Sequence, residues 1–167
     1  GGKLDCSVQP LLAVAAWILE KPIRCTFTRP ESLASSTKRH PAKMKASASC
    51  DKDGSLTSLS FEGDFNTGAY ASWGPTVADR VPIHCSGPYF VPNILAKTRA
   101  LLTNGPPSGA FRGFGVPQSA IAHEALMDSL AEQTGIDPLE FRLKNALRKG
   151  QKTGSGQLLE NSVGQAE

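Results

Sequence analysis

The stretch Gly105-Pro106-Pro107-Ser108-Gly109-Ala110-Phe111-Arg112-Gly113-Phe114-Gly115-Val116-Pro117-Gln118 limits what this chain can fold into more than any other part of it. Residues 105–109 exclude helix and interior strand, because proline lacks a donor and glycine carries the largest backbone entropy cost. They form a rigid, bent approach to residues 110–118. Pro117 suits a first helical turn, so the loop ends where a helix over residues 118–134 begins. Ile121, Ala122, Ala125, Leu126 and Leu130 share one side of that helix, and Gly135 closes it as a left-handed cap. Backbone N–H groups at a helix start lack intrahelical acceptors and favour anionic or electron-rich ligands. With Gly109, Gly113 and Gly115 punctuating the loop that carries Phe111, Arg112 and Phe114, ring faces and N–H groups can both approach a flat ligand, a planar cofactor or a heteroaromatic substrate. Composition alone favours a plainer alternative, a turn whose phenylalanines belong to the core.

The rest of the chain reads as one domain's worth of alternating elements. Its 167 residues set a ceiling of one core, and 40% hydrophobic with 20% charged residues excludes a disordered chain. Ser7 can cap a helix over residues 11–20, which is apolar all round and therefore expected to be buried. Residues 23–28 alternate as a short strand, and the serine-rich residues 29–38 read as a polar loop. Met44, Ala46, Ala48 and Cys50 alternate with Lys43, Lys45, Ser47 and Ser49, which predicts a half-buried strand. Asp51-Lys52-Asp53-Gly54 is a hairpin turn leading to a partner strand over residues 56–65. A loop over residues 66–75 holds Trp73; a short helix interrupted by Pro82 covers 76–84, and a strand covers 94–103. Asp137, Pro138 and Glu140 form a helix-start signature, with Ile136 able to staple Phe141, and the helix runs to Arg148 before Gly150. The expected fold is α+β, a mostly antiparallel sheet with a buried N-terminal helix and two C-terminal helices. Residues 1–150 make the domain, and residues 151–167 a loop-like, frayed segment.

Several function classes drop out. A net charge of +3 is too small for a nucleic-acid footprint. Arg112-Gly113-Phe114-Gly115 matches the start of an RNA-binding sheet motif, but Val116 stands where a stacking aromatic is needed and Pro117 would break the strand. Residues 11–19 reach half the roughly 20 residues of a membrane span. The four cysteines, Cys6, Cys25, Cys50 and Cys85, form no Cys-x-x-Cys pair and read as buried free thiols of a reducing cytoplasm. His40, His84 and His123 lie far apart and read as structural or solvated; metal-ligand spacing and serine-nucleophile patterns are absent. The opening Gly1-Gly2-Lys3 shows neither Met nor leader and suggests an internal piece.

At residues 109–118 the sequence resembles the molybdenum hydroxylases, the xanthine dehydrogenase and aldehyde oxidoreductase family, whose large molybdopterin-binding subunit carries Ala-Phe-Arg-Gly-(Phe/Tyr)-Gly-x-Pro-Gln. The likeness is colinear elsewhere. Gly1-Gly2-Lys3 looks like the end of the family's Gly-Gly-Phe-Gly-Gly-Lys loop, Lys38-Arg39-His40-Pro41 like its Arg-His-Pro segment, and residues 89–94 like its Tyr-x-x-Pro-Asn-Ile segment. Pro138-Leu139-Glu140-Phe141-Arg142-Leu143-Lys144-Asn145 resembles the segment that closes the helical part. By that resemblance the chain is a fragment of a larger molybdopterin-binding domain.

The resemblance implies site roles at matching positions. Arg112, flanked by Phe111 and Gly113, would lie beside the molybdenum centre, with Gly1 and Gly2 also on the cofactor. Phe114 matches an aromatic that stacks on substrate, and Arg80 an arginine that stabilises negative charge developing on a purine; a surface salt bridge to Asp79 is the alternative for Arg80. Leu4 departs from the xanthine-type glutamate and is similar to the aldehyde-type members, so an aldehyde or N-heterocycle is the implied substrate. The implied cofactor is molybdenum–molybdopterin held through the pterin's sulfurs with no protein metal ligand. Iron–sulfur clusters, with or without FAD, belong to other parts of the complex. The implied reaction is hydroxylation with water as oxygen source, using a general-base glutamate beyond Glu167, so this fragment alone would be inactive. The implied partners are the remainder of the subunit and the iron–sulfur and flavin parts, in the cytoplasm. Leu4 and the missing base leave one rival: a non-catalytic structural or interaction domain retaining the family fold.

Overall fold

The period of two in the lysine-rich segment does build a strand, and its hairpin is the frame of the molecule. The computed structural model describes Cys6, residues 8–161 and Gly164. Among these, the elements in chain order are α1 (Gln9–Leu19), α2 (Arg29–Ser35), β1 (Ala42–Cys50), β2 (Leu56–Gly68), α3 (Gly74–His84), β3 (Asn93–Leu102), α4 (Val116–Thr134) and α5 (Pro138–Asn145). Strands β1 and β2 are antiparallel, from Ala42 opposite Phe65 to Cys50 opposite Leu56. Strand β3 runs parallel to β2, with Leu59 opposite Ile94 and Phe65 opposite Ala100. The sheet is thus mixed, where a mostly antiparallel one was expected. The reason is the connection: α3 lies between β2 and β3, and such a helical crossover brings the chain back to start a parallel neighbour.

One sheet face is dry. Its cross-strand rows are Ala42–Phe65–Ala100, Met44–Gly63–Thr98, Ala46–Phe61–Ala96 and Ala48–Leu59–Ile94. Large residues occupy the middle strand and small ones the flanks, so α3 and α4 can settle close on either side of the rings. A Cβ on Gly63 would stand 2.8 Å from the Phe65 ring, which is why the space between Phe61 and Phe65 is left to a hydrogen. The opposite face carries rows of charge, Lys43–Asp64–Arg99 and Lys45–Glu62–Lys97, in which Arg99 Nε lies 2.6 Å from Asp64 Oδ1.

Helix α5 is locked to the hairpin by one side chain. Buried Asn145 accepts from the Leu56 amide at 2.8 Å and donates to the Gly54 and Phe141 carbonyls at 2.9 Å each. Asp137 caps this helix through the amides of Leu139 and Glu140, and Ile136 and Phe141 converge over Gly54. The helix ends at Asn145 rather than Arg148, because Ala146 turns extended.

The N-terminal part departs furthest from the sequence expectations. Helix α1 forms, but none of its residues is buried: Leu11, Trp17 and Ile18 are 70%, 81% and 68% exposed. Its all-round apolarity calls for cover that no described element supplies. Residues 23–28 make no strand; every residue of 21–30 is exposed and no neighbouring strand takes up their hydrogen bonds. Residues 29–35 are helix, not loop. Thr28 caps α2, its hydroxyl accepting from the Glu31 amide at 3.4 Å while Glu31 accepts from the Thr28 amide at 2.8 Å. Ser7 lies outside the described residues. Among the cysteines Cys85 is buried and Cys50 half-buried, whereas Cys6 and Cys25 are exposed, contrary to the expectation of buried thiols; Cys25 lies in a stretch, residues 21–30, whose every residue is exposed. No described helix is long and apolar enough to cross a membrane.

Candidate functional site

The bent approach fixes where the glycine-rich loop emerges. Ser108 donates to the Thr67 carbonyl at 2.9 Å and Gly109 to the Lys38 carbonyl at 3.0 Å, so residues 105–109 run along the end of β2 and the segment before β1. Ala110 is buried, and the chain then turns outward. The Phe114 amide bonds the Phe111 carbonyl at 2.8 Å and the Val116 amide bonds that of Gly113 at 3.0 Å. Gly113, Phe114 and Gly115 have φ of 88, 49 and 98, three consecutive left-handed residues that throw the chain into α4. Phenylalanine rarely adopts that conformation, which places backbone strain within the loop.

Phe111, Arg112 and Gly113 are exposed as a result, Phe111 at 40%, which rules out the plainer alternative of two core phenylalanines. The amides of Arg112 and Gly113 have no acceptor among the described residues. An exposed turn with two free N–H groups beside an aromatic ring and a helix start offers the donor set for a polar, flat ligand.

Arg80 and Phe114 come together from separate elements. The Arg80 guanidinium carbon lies 6.0 Å from the Phe114 ring centroid, and Trp73 meets the same ring edge-on at 6.0 Å and 65°. Arg80 makes no ion pair with Asp79 or any other carboxylate among the described residues, so its charge is not neutralised in place. His84, one helical turn on, has its pKa lowered by burial and by Arg80. Gly1, Gly2 and Leu4 lie outside the described residues.

Three participants went unassigned by sequence reasoning. Trp73 was visible only as a tryptophan in a loop; its place one residue before α3, the helix that carries Arg80, needs the fold. Arg39 and Gln118 belong to the family-like segments but had no role. Arg39 stacks on Phe111 at 4.6 Å and donates to the Arg112 carbonyl at 2.5 Å, and buried Gln118 donates to the His40 carbonyl at 3.2 Å. The histidines do not gather: His40 and His123 are buried separately, each with one ring nitrogen unpartnered among the described residues. Burial lowers the pKa of both, with Arg39 adding to the effect at His40 and Glu124 opposing it at His123.

A family model described as the molybdopterin cofactor-binding domain matches residues 1–146. The nicotinate dehydrogenase large molybdopterin subunit of Eubacterium barkeri is 47% identical over 167 residues, 100% of this chain and 39% of that protein. Among solved structures, the aldehyde oxidoreductase from Desulfovibrio gigas superposes with a TM-score of 0.81 at 35% identity, over 92% of this chain and 17% of its own. Quinoline 2-oxidoreductase from Pseudomonas putida 86 gives 0.74 at 29%, over 88% and 20%. The chain therefore spans well under half the length of these relatives, and it belongs to the molybdopterin cofactor-binding domain family.

Proposed function

We propose that this chain forms the wall of a molybdenum hydroxylase active site that meets both cofactor and substrate, in an oxidoreductase that hydroxylates an N-heterocycle or an aldehyde with water as oxygen source. The observation that carries the reading is the exposed Phe111–Arg112–Gly113 turn, with two free amides, set beside the Arg80–Phe114–Trp73 cluster. The turn fits molybdopterin through its N–H donors and the Phe111 ring. When bound, the molybdenum–molybdopterin group supplies oxygen transfer to carbon and accepts the electron pair. Phe114 and Trp73 orient a planar substrate by ring contact, and Arg80 stabilises negative charge developing on it. Two aromatic faces favour the N-heterocycle over a small aldehyde, in keeping with relatives named for nicotinate and quinoline. A glutamate elsewhere in the subunit accepts the proton, so this chain alone turns over no substrate. Electrons leave through iron–sulfur and flavin parts of the complex, in the cytoplasm.

Metal and pterin analysis of the intact subunit tests the reading, together with kinetics of Phe114→Ala. Bound molybdenum and pterin, with kcat/KM reduced for every accepted substrate, is the expected result. A pterin-free active subunit would overturn the molybdopterin reading, and unchanged Phe114→Ala kinetics with every substrate would favour a non-catalytic domain that keeps only the fold.

A further inference from the structure

We infer that Arg39 is a positioning residue: its guanidinium braces the Phe111–Gly115 turn in the shape that the cofactor requires. This rests on the reading of that turn as the cofactor-facing wall. Arg39 is delivered to the turn by backbone pairing. Lys38 donates to the Pro107 carbonyl at 3.3 Å and accepts from the Gly109 amide at 3.0 Å, so the next residue stands directly beside Ala110 and Phe111. His40 behind it is buried, and its carbonyl is held by Gln118. The half-buried Arg39 side chain then makes three contacts on the turn and the helix after it. Its guanidinium carbon lies 4.6 Å from the Phe111 ring centroid, Nη2 donates to the Arg112 carbonyl at 2.5 Å, and Nη1 is 3.4 Å from Gln118 Oε1 in the first turn of α4.

The chemistry of these contacts calls for arginine. A guanidinium can stack flat on a ring and still point two edges at different acceptors, whereas the ammonium of lysine, a compact point charge without a planar face, cannot hold the ring and both separated acceptors in one geometry. The Arg112 carbonyl is the point where the brace matters most. Fixing that oxygen fixes the peptide plane between Arg112 and Gly113, and with it the direction of the Gly113 amide, one of the two free donors. The turn otherwise has only two backbone bonds of its own to oppose the strain at Phe114.

Arg39→Lys in the intact subunit tests the inference, since it keeps the charge and most of the volume. Exchange at the Phe114 and Val116 amides should quicken about tenfold or more, the loss expected for one charge-assisted hydrogen bond. Molybdenum and pterin per folded subunit should fall at least about threefold, and in the loaded fraction kcat should drop while KM stays within about twofold. Exchange and cofactor content equal to wild type would overturn it. If Arg39→Lys does not fold, Phe111→Leu reads the same brace from the other side: faster exchange at Phe114 supports the inference and unchanged exchange overturns it. A wild-type subunit free of molybdenum and pterin would instead overturn the proposed function while leaving the exchange result standing.

Discussion

Arg80 and Phe114 face each other across 6.0 Å although a helix end, a whole strand and the proline-rich approach separate them in the chain. The pairing puts a cation that has no ion pair among the described residues over a half-buried ring, which Trp73 meets edge-on. Replacing Arg80 by Met in the intact enzyme should lower kcat/KM by about 10- to 100-fold, with kcat carrying most of the loss, because charge is stabilised in the transition state. Trp73→Ala should act on KM instead. Steady-state kinetics separates the two; a pure KM effect for the arginine variant would assign it to substrate binding only.

Gly113 and Pro117 define the tightest point of the loop. A Cβ built on Gly113 would lie 2.6 Å from Pro117 Cδ and Cγ, and its φ of 88 already disfavours any other residue. Gly113→Ala should therefore cost about 1–3 kcal/mol if the loop keeps its shape, or reshape the loop and release the strain. Urea unfolding and pterin content discriminate: the first outcome lowers the midpoint at full cofactor load, the second lowers the load. A variant unchanged in both would contradict the geometry.

Much of this was legible in the sequence where local rules and tertiary context agree. The period of two at Met44–Cys50, the Asp137-Pro138 helix start and the Gly135 cap each have a local cause that packing then reinforces. Residues 28–35 were legible in principle: Thr28 and Glu31 make a capping box that outweighs the serine content suggesting loop. The direction of β3 was not, since strand patterning is blind to it and only the length and helicity of the β2–β3 connection decide. Phe111 and Arg112 could be placed by motif, whereas Trp73 and Arg39 act through neighbours distant in the chain. The expectation that α1 is buried fails, because all-round apolarity asks for cover without naming the element that gives it, and no described element does.

Arg142 ties α5 to α4. Its Nε lies 2.9 Å from Glu124 Oε2 and Nη2 2.7 Å from Asp128 Oδ1, while Tyr89 donates to Glu124 Oε1 at 2.9 Å. Burial opposes the guanidinium charge, but Asp128 and Glu124 outweigh it and raise the pKa; burial and Glu124 push the Tyr89 phenol up to about 12. Glu124 is 40% exposed and Asp128 63%, so water screens much of the attraction. Arg142→Met should destabilise by about 1–3 kcal/mol, chiefly by leaving Glu124 without its guanidinium partner, with only the Tyr89 hydroxyl and the His123 ring beside it among the described residues. A double-mutant cycle with Glu124→Gln, read by urea unfolding, should show coupling; additive losses would mean that the pair contributes packing and no charge.

Acid should weaken the fold first through its histidines. Burial holds His40, His84 and His123 below the ordinary 6.5, helped by Arg39 at the first and Arg80 at the second and opposed by Glu124 at the third. Well above 6.5, from about pH 7.5, the imidazoles are neutral in both states and their contribution to stability is complete. As pH falls through 6.5 the unfolded chain takes up protons that the folded chain refuses, so stability declines until the lower folded values are reached. Glu31 and Asp64, lowered by the Thr28 amide and by Arg99 respectively, add their loss only beneath their ordinary 4.5 and 3.8. The urea midpoint should therefore drop between about pH 7.5 and about pH 5.5, where those carboxylates are still ionised. His123→Gln should flatten part of that slope, because its side chain cannot titrate. A midpoint that holds or rises on acidification would place the buried imidazoles in contact with an acceptor that stabilises their protonated form.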